Sequence, residues 1–150
     1  MIISTKGRYG LRAMFELAKA HGDGPQSIKN ISAAQSLSEQ YLEQIFHKLK
    51  GAGLVKSIRG AGGGYELAHT PGGISVGKVL IALEGELVPA ECVGDDALSC
   101  ENVSLCTTHV IWQRIYEGFT GVIESITLQD MVDDYNRMVA GRPQAKDVRC

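Results

Sequence analysis

The sequence predicts a mainly α-helical fold carrying one small β-hairpin, and three features of its 150 residues predict it. Apolar side chains recur at spacings of three and four through most of the chain. One stretch, residues 54–68, reads as two short strands around a glycine-rich turn. A polar stretch, residues 92–109, interrupts the helices and concentrates three cysteines and a histidine in eighteen positions. An apolar fraction of 44% and a charged fraction of 21% are ordinary for a soluble globular chain. The length suits one domain or two small ones.

The elements follow in order. Ser4 or Thr5 caps a helix running to about His21, with Tyr9, Leu11, Met14, Phe15, Leu17 and Ala18 as its apolar side. Gly22-Asp23-Gly24-Pro25 stops it. Residues 28–36 read as a short second helix with Ile28, Ile31 and Ala34 on its stripe. Leu37 and Ser38 make a tight turn, and Ser38 caps a third helix through Leu49. Tyr41, Leu42, Ile45, Phe46 and Leu49 form the inner face of that helix. Gln40, Glu43, Gln44, His47 and Lys48 are left outside.

A short helix, a tight turn and a second helix with a polar outer face make a helix-turn-helix. The outer set has the chemistry for reading bases: Gln bonds adenine at two points, Glu accepts from cytosine, and Lys reaches guanine or phosphate. The hairpin that follows turns the unit into a winged helix, with Arg59 at the shoulder of the wing where it can reach a narrow minor groove. Gly60, Gly62, Gly63 and Gly64 do not form a nucleotide loop. They do not spell G-x-G-x-x-G, no helix opens at the last of them, and no Lys-Ser/Thr pair follows.

Charge points the same way. Residues 1–60 carry nine basic side chains against four acidic ones, a net +5, while the rest of the chain carries −7. A basic half joined to an acidic half is the pattern expected when one part meets a polyanion. Lys6, Arg8 and Arg12 cluster at the start of the first helix, within reach of a phosphate backbone.

Thr70-Pro71-Gly72-Gly73 reads as a linker, so the expected division is a winged helix-turn-helix DNA-binding domain over 1–73 and a second region over 74–140. That region opens with a helix from Ser75 to Glu84 that turns Val76, Val79, Leu80 and Leu83 inward. Thr107 or Thr108 caps a long helix to about Ile126. Its stripe of Val110, Ile111, Ile115, Phe119, Val122, Ile123 and Ile126 is long enough to need a partner, and a second copy of the chain is the economical one. Trp112 is expected at that interface or beside the cysteine loop. Leu128 to Val139 forms a last helix, and 141–150, with Cys150, reads as a flexible tail.

Cys92, Cys100, Cys106 and His109 make a full set of four ligands for a soft or borderline metal centre. Their spacing, Cys-x7-Cys-x5-Cys-x2-His, lacks the tight knuckle that opens most structural zinc sites. It suits a larger object such as an iron–sulfur cluster. Zinc, a disulfide or a metal-free thiol loop are the alternatives. No apolar run approaches the roughly 18 residues needed to cross a bilayer, and Met1 to Gly7 holds no signal-peptide core. The expected compartment is cytoplasmic, where four cysteines favour metal or redox chemistry over a disulfide scaffold.

The N-terminal S-T-K-G-R-Y-G, the Y-L-E-Q-I-F of the third helix, the V-K-S-I-R-G-A-G-G-G-Y wing and the Cys3His loop together resemble the IscR group of winged-helix regulators, over roughly residues 1–140. The resemblance implies a homodimeric transcription factor, not an enzyme, that holds one 2Fe–2S cluster per subunit on Cys92, Cys100, Cys106 and His109. It implies that Gln40, Glu43 and Gln44 face bases of a double-stranded operator, that Arg59 enters the minor groove, and that the iron–sulfur assembly machinery donates the cluster. Glu43 is similar to the family residue that penalises one class of operator until cluster binding moves it away. The first cysteine interval is seven residues where five is usual, which implies a longer loop. Gln40 stands where some relatives have a small hydroxyl residue, so the operator is expected to differ. Related nitric-oxide sensors use an acidic residue near position 8, where this chain has Arg8.

A Cys3His set, with a neutral ligand that can protonate when free, is expected to lose a cluster more readily than four thiolates, which suits a sensor of cluster supply. The rival class is an iron–sulfur electron carrier or redox enzyme. It calls for paired carboxylates, a nucleophile–base set or a cofactor fingerprint, and the sequence supplies none of these.

Overall fold

The computed structural model describes residues 1–97 and 99–142. The expected mainly helical fold with a winged helix-turn-helix is what forms. Helix α1 (Thr5–Lys19) starts where the Ser4 hydroxyl accepts the Lys6 N–H. Helices α2 (Ile28–Gln35) and α3 (Glu39–Gly51) start in the same way, at Ser27 and Ser38. Between them Ser36 takes a left-handed conformation (φ 53°, ψ 47°), which reverses the chain in three residues. Ala34, expected on the inner stripe of α2, is exposed; Ile31 is the residue of that helix that is buried. Helix α3 runs two residues past Leu49, because Ala52 still donates to the Lys48 carbonyl.

The wing is an antiparallel pair, β1 (Val55–Ile58) and β2 (Gly64–Leu67), in the register Val55↔Leu67 to Ile58↔Gly64. It sits one residue inward of the expected limits, since the Leu54 N–H is taken by the Leu49 carbonyl at the end of α3. The Tyr65 ring stacks on Phe46 of α3 at 4.5 Å, and its backbone exchanges two 2.8 Å hydrogen bonds with Gln26. The wing is therefore fixed to α3 on one side and to the segment before α2 on the other.

Residues 70–73 are not an open linker. Pro71–Gly73 form a 3₁₀ turn with Pro71 buried, packed on helix α6 (Leu128–Ala140). Helix α4 (Val76–Glu84) crosses α1 closely, at Gly10, where any Cβ would fall 2.0 Å from Leu83 Cδ1. One buried cluster joins Met14, Leu42, Phe46 and Leu49 to Ile74, Val79, Leu83 and Leu128, so residues on both sides of position 73 share it.

Helix α5 (Thr107–Ser125) is different. Ile123 is buried against Val76 and Leu80, with Phe119 half-buried beside it. Ile111 is 53% exposed and Val122 57% exposed, and Trp112, Ile115 and Val110 are exposed as well. The turn into α6 is held by a capping box between Thr127 and Asp130, and Val76 N–H bonds the Ile126 carbonyl at 2.8 Å. Residues 143–150 of the expected tail, with Cys150, lie outside the described residues.

Candidate nucleic-acid interface and ligand loop

The 3.6-residue period of α3 puts Gln40, Glu43, Gln44, His47 and Lys48 on one exposed face, where they line a single shallow depression. The buried side of the same helix (Leu42, Ile45, Phe46, Leu49) anchors that face. Lys6, from the first turn of α1, lies alongside Lys48: its ammonium is the main cause that lowers the Lys48 pKa. Two neighbouring cations, offset in part by the Glu84 carboxylate, still favour an anion beside them. Arg8 is exposed at the N-terminal end of α1, donating to the Thr5 hydroxyl at 3.3 Å, and Arg59 is exposed at the end of β1.

Arg12 is not part of this surface. Its guanidinium bonds the side chain and the backbone carbonyl of Gln35 and stacks 5.3 Å from the Tyr9 ring centre. It ties α1 to the end of α2, so its charge serves the helix pair.

The ligand loop leads away from α4. Cys92 is half-buried in a turn beside buried Val93, and Cys100 is exposed. A short 3₁₀ turn, Val103–Leu105, delivers Cys106 to the start of α5. Cys106 itself is the N-cap there, in place of the expected Thr107 or Thr108. Its Sγ lies 3.2 Å from the Thr108 hydroxyl. That hydroxyl first, then the N–H groups of His109 and Thr108, favour the thiolate and hold the Cys106 pKa below the ordinary thiol value. His109 follows one turn into the same helix. Its Nδ1 is buried and has no hydrogen-bond partner among the described residues. Among those residues, no three His, Cys, Asp or Glu side chains converge closely enough to enclose a metal ion. Cys106 and His109 thus stand three residues apart at the start of α5, and among the described residues Cys92 and Cys100 do not complete a three-donor site with them.

Two carboxylates that sequence reasoning missed frame the loop. Glu84, at the end of α4, accepts from the Ser4 N–H (3.0 Å), the Ser4 hydroxyl (2.6 Å) and the Gly7 N–H (2.9 Å). Burial disfavours its charge, but those three donors outweigh burial and lower its pKa. Glu86 accepts from the Tyr116 hydroxyl (2.6 Å) and the Asp95 N–H (2.9 Å), which lower its pKa. The same bond pushes the Tyr116 phenol up to about 12.

A helix-turn-helix with its polar face outward, a wing clamped to it and a pair of adjacent lysines define a winged-helix DNA-binding transcriptional regulator. Residues 3–134 match the model of Rrf2, described as an iron-dependent transcriptional regulator, and the chain belongs to the Rrf2 family. It is similar to CymR of Bacillus subtilis (strain 168), at 47% identity over 131 residues, covering 87% of this chain and 89% of CymR. The solved structure of that protein, described as the global cysteine regulator, matches with a TM-score of 0.75 at 46% identity, over 89% of this chain and 97% of that one. The solved structure of T. potens IscR matches with a TM-score of 0.75 at 43% identity, covering 97% of this chain and 94% of that one. IscR of Enterobacter sp. (strain 638) is 36% identical over 150 residues, 99% of this chain and 91% of its own. Homologues of this kind are regulators, and the chain is not an enzyme. Among the described residues, no helix is long and apolar enough to cross a membrane.

Proposed function

We propose that the chain is a homodimeric regulator that holds a 2Fe–2S cluster on Cys92, Cys100, Cys106 and His109 and chooses among operators according to whether that cluster is present. The observation that carries the reading is the start of α5. A thiol whose thiolate is favoured stands one turn from an imidazole whose buried Nδ1 lacks a partner among the described residues. A buried nitrogen left unpaired costs roughly 1–3 kcal/mol, and a metal ligand role removes that cost. Three soft thiolates and one imidazole are a donor set that iron–sulfur clusters accept. When bound, the cluster supplies a releasable group that reports on iron–sulfur supply, delivered by the assembly machinery. The likeness to T. potens IscR over nearly the whole chain supports the reading.

The chain's own residues do the rest. Gln40, Glu43 and Gln44 meet base edges in the major groove, Lys6, Arg8, His47 and Lys48 meet phosphates or base edges, and Arg59 reaches the minor groove. The exposed stripe of α5 pairs with the same stripe of a second copy, which sets two recognition helices at a fixed spacing on the operator. The expected boundary at residue 73 is retained as a division of labour, with DNA contacts before it and the ligand loop and pairing helix after it.

A second reading has its own support. The favoured thiolate of Cys106, together with the likeness to a cysteine regulator, suits a metal-free or zinc-bound thiol loop. One experiment separates the two: anaerobic purification with iron, sulfide and zinc analysis and an absorption spectrum. It is run on the wild type and on Cys92→Ala, Cys100→Ala, Cys106→Ala and His109→Ala. About two irons and two sulfides per chain are expected, lost in each cysteine variant and weakened in the histidine variant. Stoichiometric zinc, or no metal with DNA binding intact, would establish the thiol reading instead.

A further inference from the structure

The path from the ligand loop to the DNA-reading half is short. Glu86 holds two parts of the ligand-loop region at once, α5 through Tyr116 and the turn after Cys92 through the Asp95 N–H. The loop passes close to that carboxylate: a Cβ at Gly94 would lie 2.6 Å from Val88 Cγ1 and 2.8 Å from both Glu86 carboxylate oxygens. Val93, next to Cys92, is buried. Two residues before Glu86, Glu84 takes three hydrogen bonds from the first turn of α1. That turn carries Lys6, the neighbour of Lys48 on the recognition helix.

Gly85 joins the two carboxylates with φ 81° and ψ −167°, a conformation that L side chains rarely adopt. A Cβ there would meet nothing within 4 Å, so backbone geometry alone asks for glycine. Rigid peptide planes on either side make the joint about 7 Å from Cα to Cα at most. A displacement of the Glu86 backbone beyond what the φ and ψ of Gly85 absorb is passed to Glu84.

We infer that Glu86 and Tyr116 are positioning residues: they register the Cys92 turn on α5 and, through Gly85 and Glu84, pass the state of the ligand loop to the first turn of α1 and its phosphate-facing lysine pair. This rests on the sensing reading above, and supplies the route between ligand loop and operator. Coupling of this kind needs an element that both sites bias. The segment 84–86 is such an element, because each end of it is tied to a different site.

The test uses Tyr116→Phe and Glu86→Gln, which keep the ring and the side-chain shape. In cluster-free protein, amide exchange at Ser4 and Gly7 is expected to quicken about 2- to 10-fold, the factor that one net hydrogen bond is worth. In cluster-loaded protein, iron and sulfide per chain are expected to match wild type. The ratio of operator affinities with and without cluster, typically about 5- to 150-fold where allostery operates, is expected to fall toward 1 in both variants. Wild-type exchange at Ser4 and Gly7 in both variants would overturn the joint, whatever the cluster does. So would a wild-type affinity ratio, or an equal loss of DNA binding in both states, which marks a merely structural tie. A wild-type protein whose operator affinity ignores the cluster brings down the sensing reading instead, and the exchange result still judges the joint.

Discussion

The recognition helix α3 and the long helix α5 are both amphipathic, and they dispose of their apolar sides in opposite ways. In α3 every residue of the inner stripe but Tyr41 is buried, and the exposed face is polar. In α5 the apolar stripe is mostly on the outside, with one residue, Ile123, buried. The difference separates a helix that the chain completes by itself from one that the chain leaves unfinished. Water tolerates scattered apolar side chains, but a continuous helical stripe is a surface built to be covered.

The largest effect expected from this comparison is on α3. Phe46→Ala removes a fully buried ring that stacks on Tyr65. It should cost about 3–5 kcal/mol in denaturant unfolding and loosen the wing as well. Ile111→Ala on α5, removing a comparably apolar group, should change the monomer's stability by less than about 1 kcal/mol. A large loss at Ile111 in the monomer would mean that α5 is packed within its own chain after all.

Next in size is the covering of α5. Ile115→Glu puts a charge into the proposed pairing face and should weaken association by on the order of 2–4 kcal/mol. Sedimentation should show dimer turning to monomer at micromolar concentration while the circular dichroism of the chain is kept. Variants that sediment as dimers would move the interface elsewhere.

Much of the α3 side of this contrast was legible in sequence, because caps and periodicity are local. Ser4, one of two residues expected there, and Ser38 cap where expected, whereas the Ser27 cap of α2 was not read. What could not be read was set by distance along the chain. Arg12 looked like one more surface cation until Gln35, 23 residues away, claimed it. Glu84 looked like the end of a helix, and its partners lie 77 and 80 residues back. Cys92, Cys100, Cys106 and His109 were plain as candidate donors by residue type, but among the described residues no three such side chains converge, because the loop that carries them has a conformation no local rule specifies. Cys106 as the cap of α5 was missed for a simpler reason: two threonines beside it are better cap formers.

Smaller effects probe the polar face. Gln44→Ala should cost roughly 1–3 kcal/mol of discrimination at one base pair, seen as relaxed preference at that position among operator variants. Lys48→Ala should weaken all sequences alike and lower the slope of log affinity against log salt by about 1. A Lys48 variant that changed sequence preference instead would assign that side chain to a base.

The smallest effect concerns the tie between the two halves, and its sign follows from the donors around Glu84. Burial works against the charge, but three hydrogen bonds and the nearby Lys6 leave the folded-state pKa below the ordinary glutamate value of about 4.3. A carboxyl with a lowered pKa adds stability above its unfolded-state pKa, and that stability is lost as pH falls through the folded-state value. Glu84→Gln keeps an acceptor oxygen but no charge, so it resembles protonated Glu84. Urea midpoints of wild type and Glu84→Gln should therefore differ near neutral pH, by less than about 1 kcal/mol because solvent screens the site, and draw together as pH falls below the glutamate range. A gap that stayed constant with pH would mean that geometry, and not charge, holds α1 to the end of α4. The two halves would then be joined by shape alone, and acid would leave the joint at 84–86 untouched.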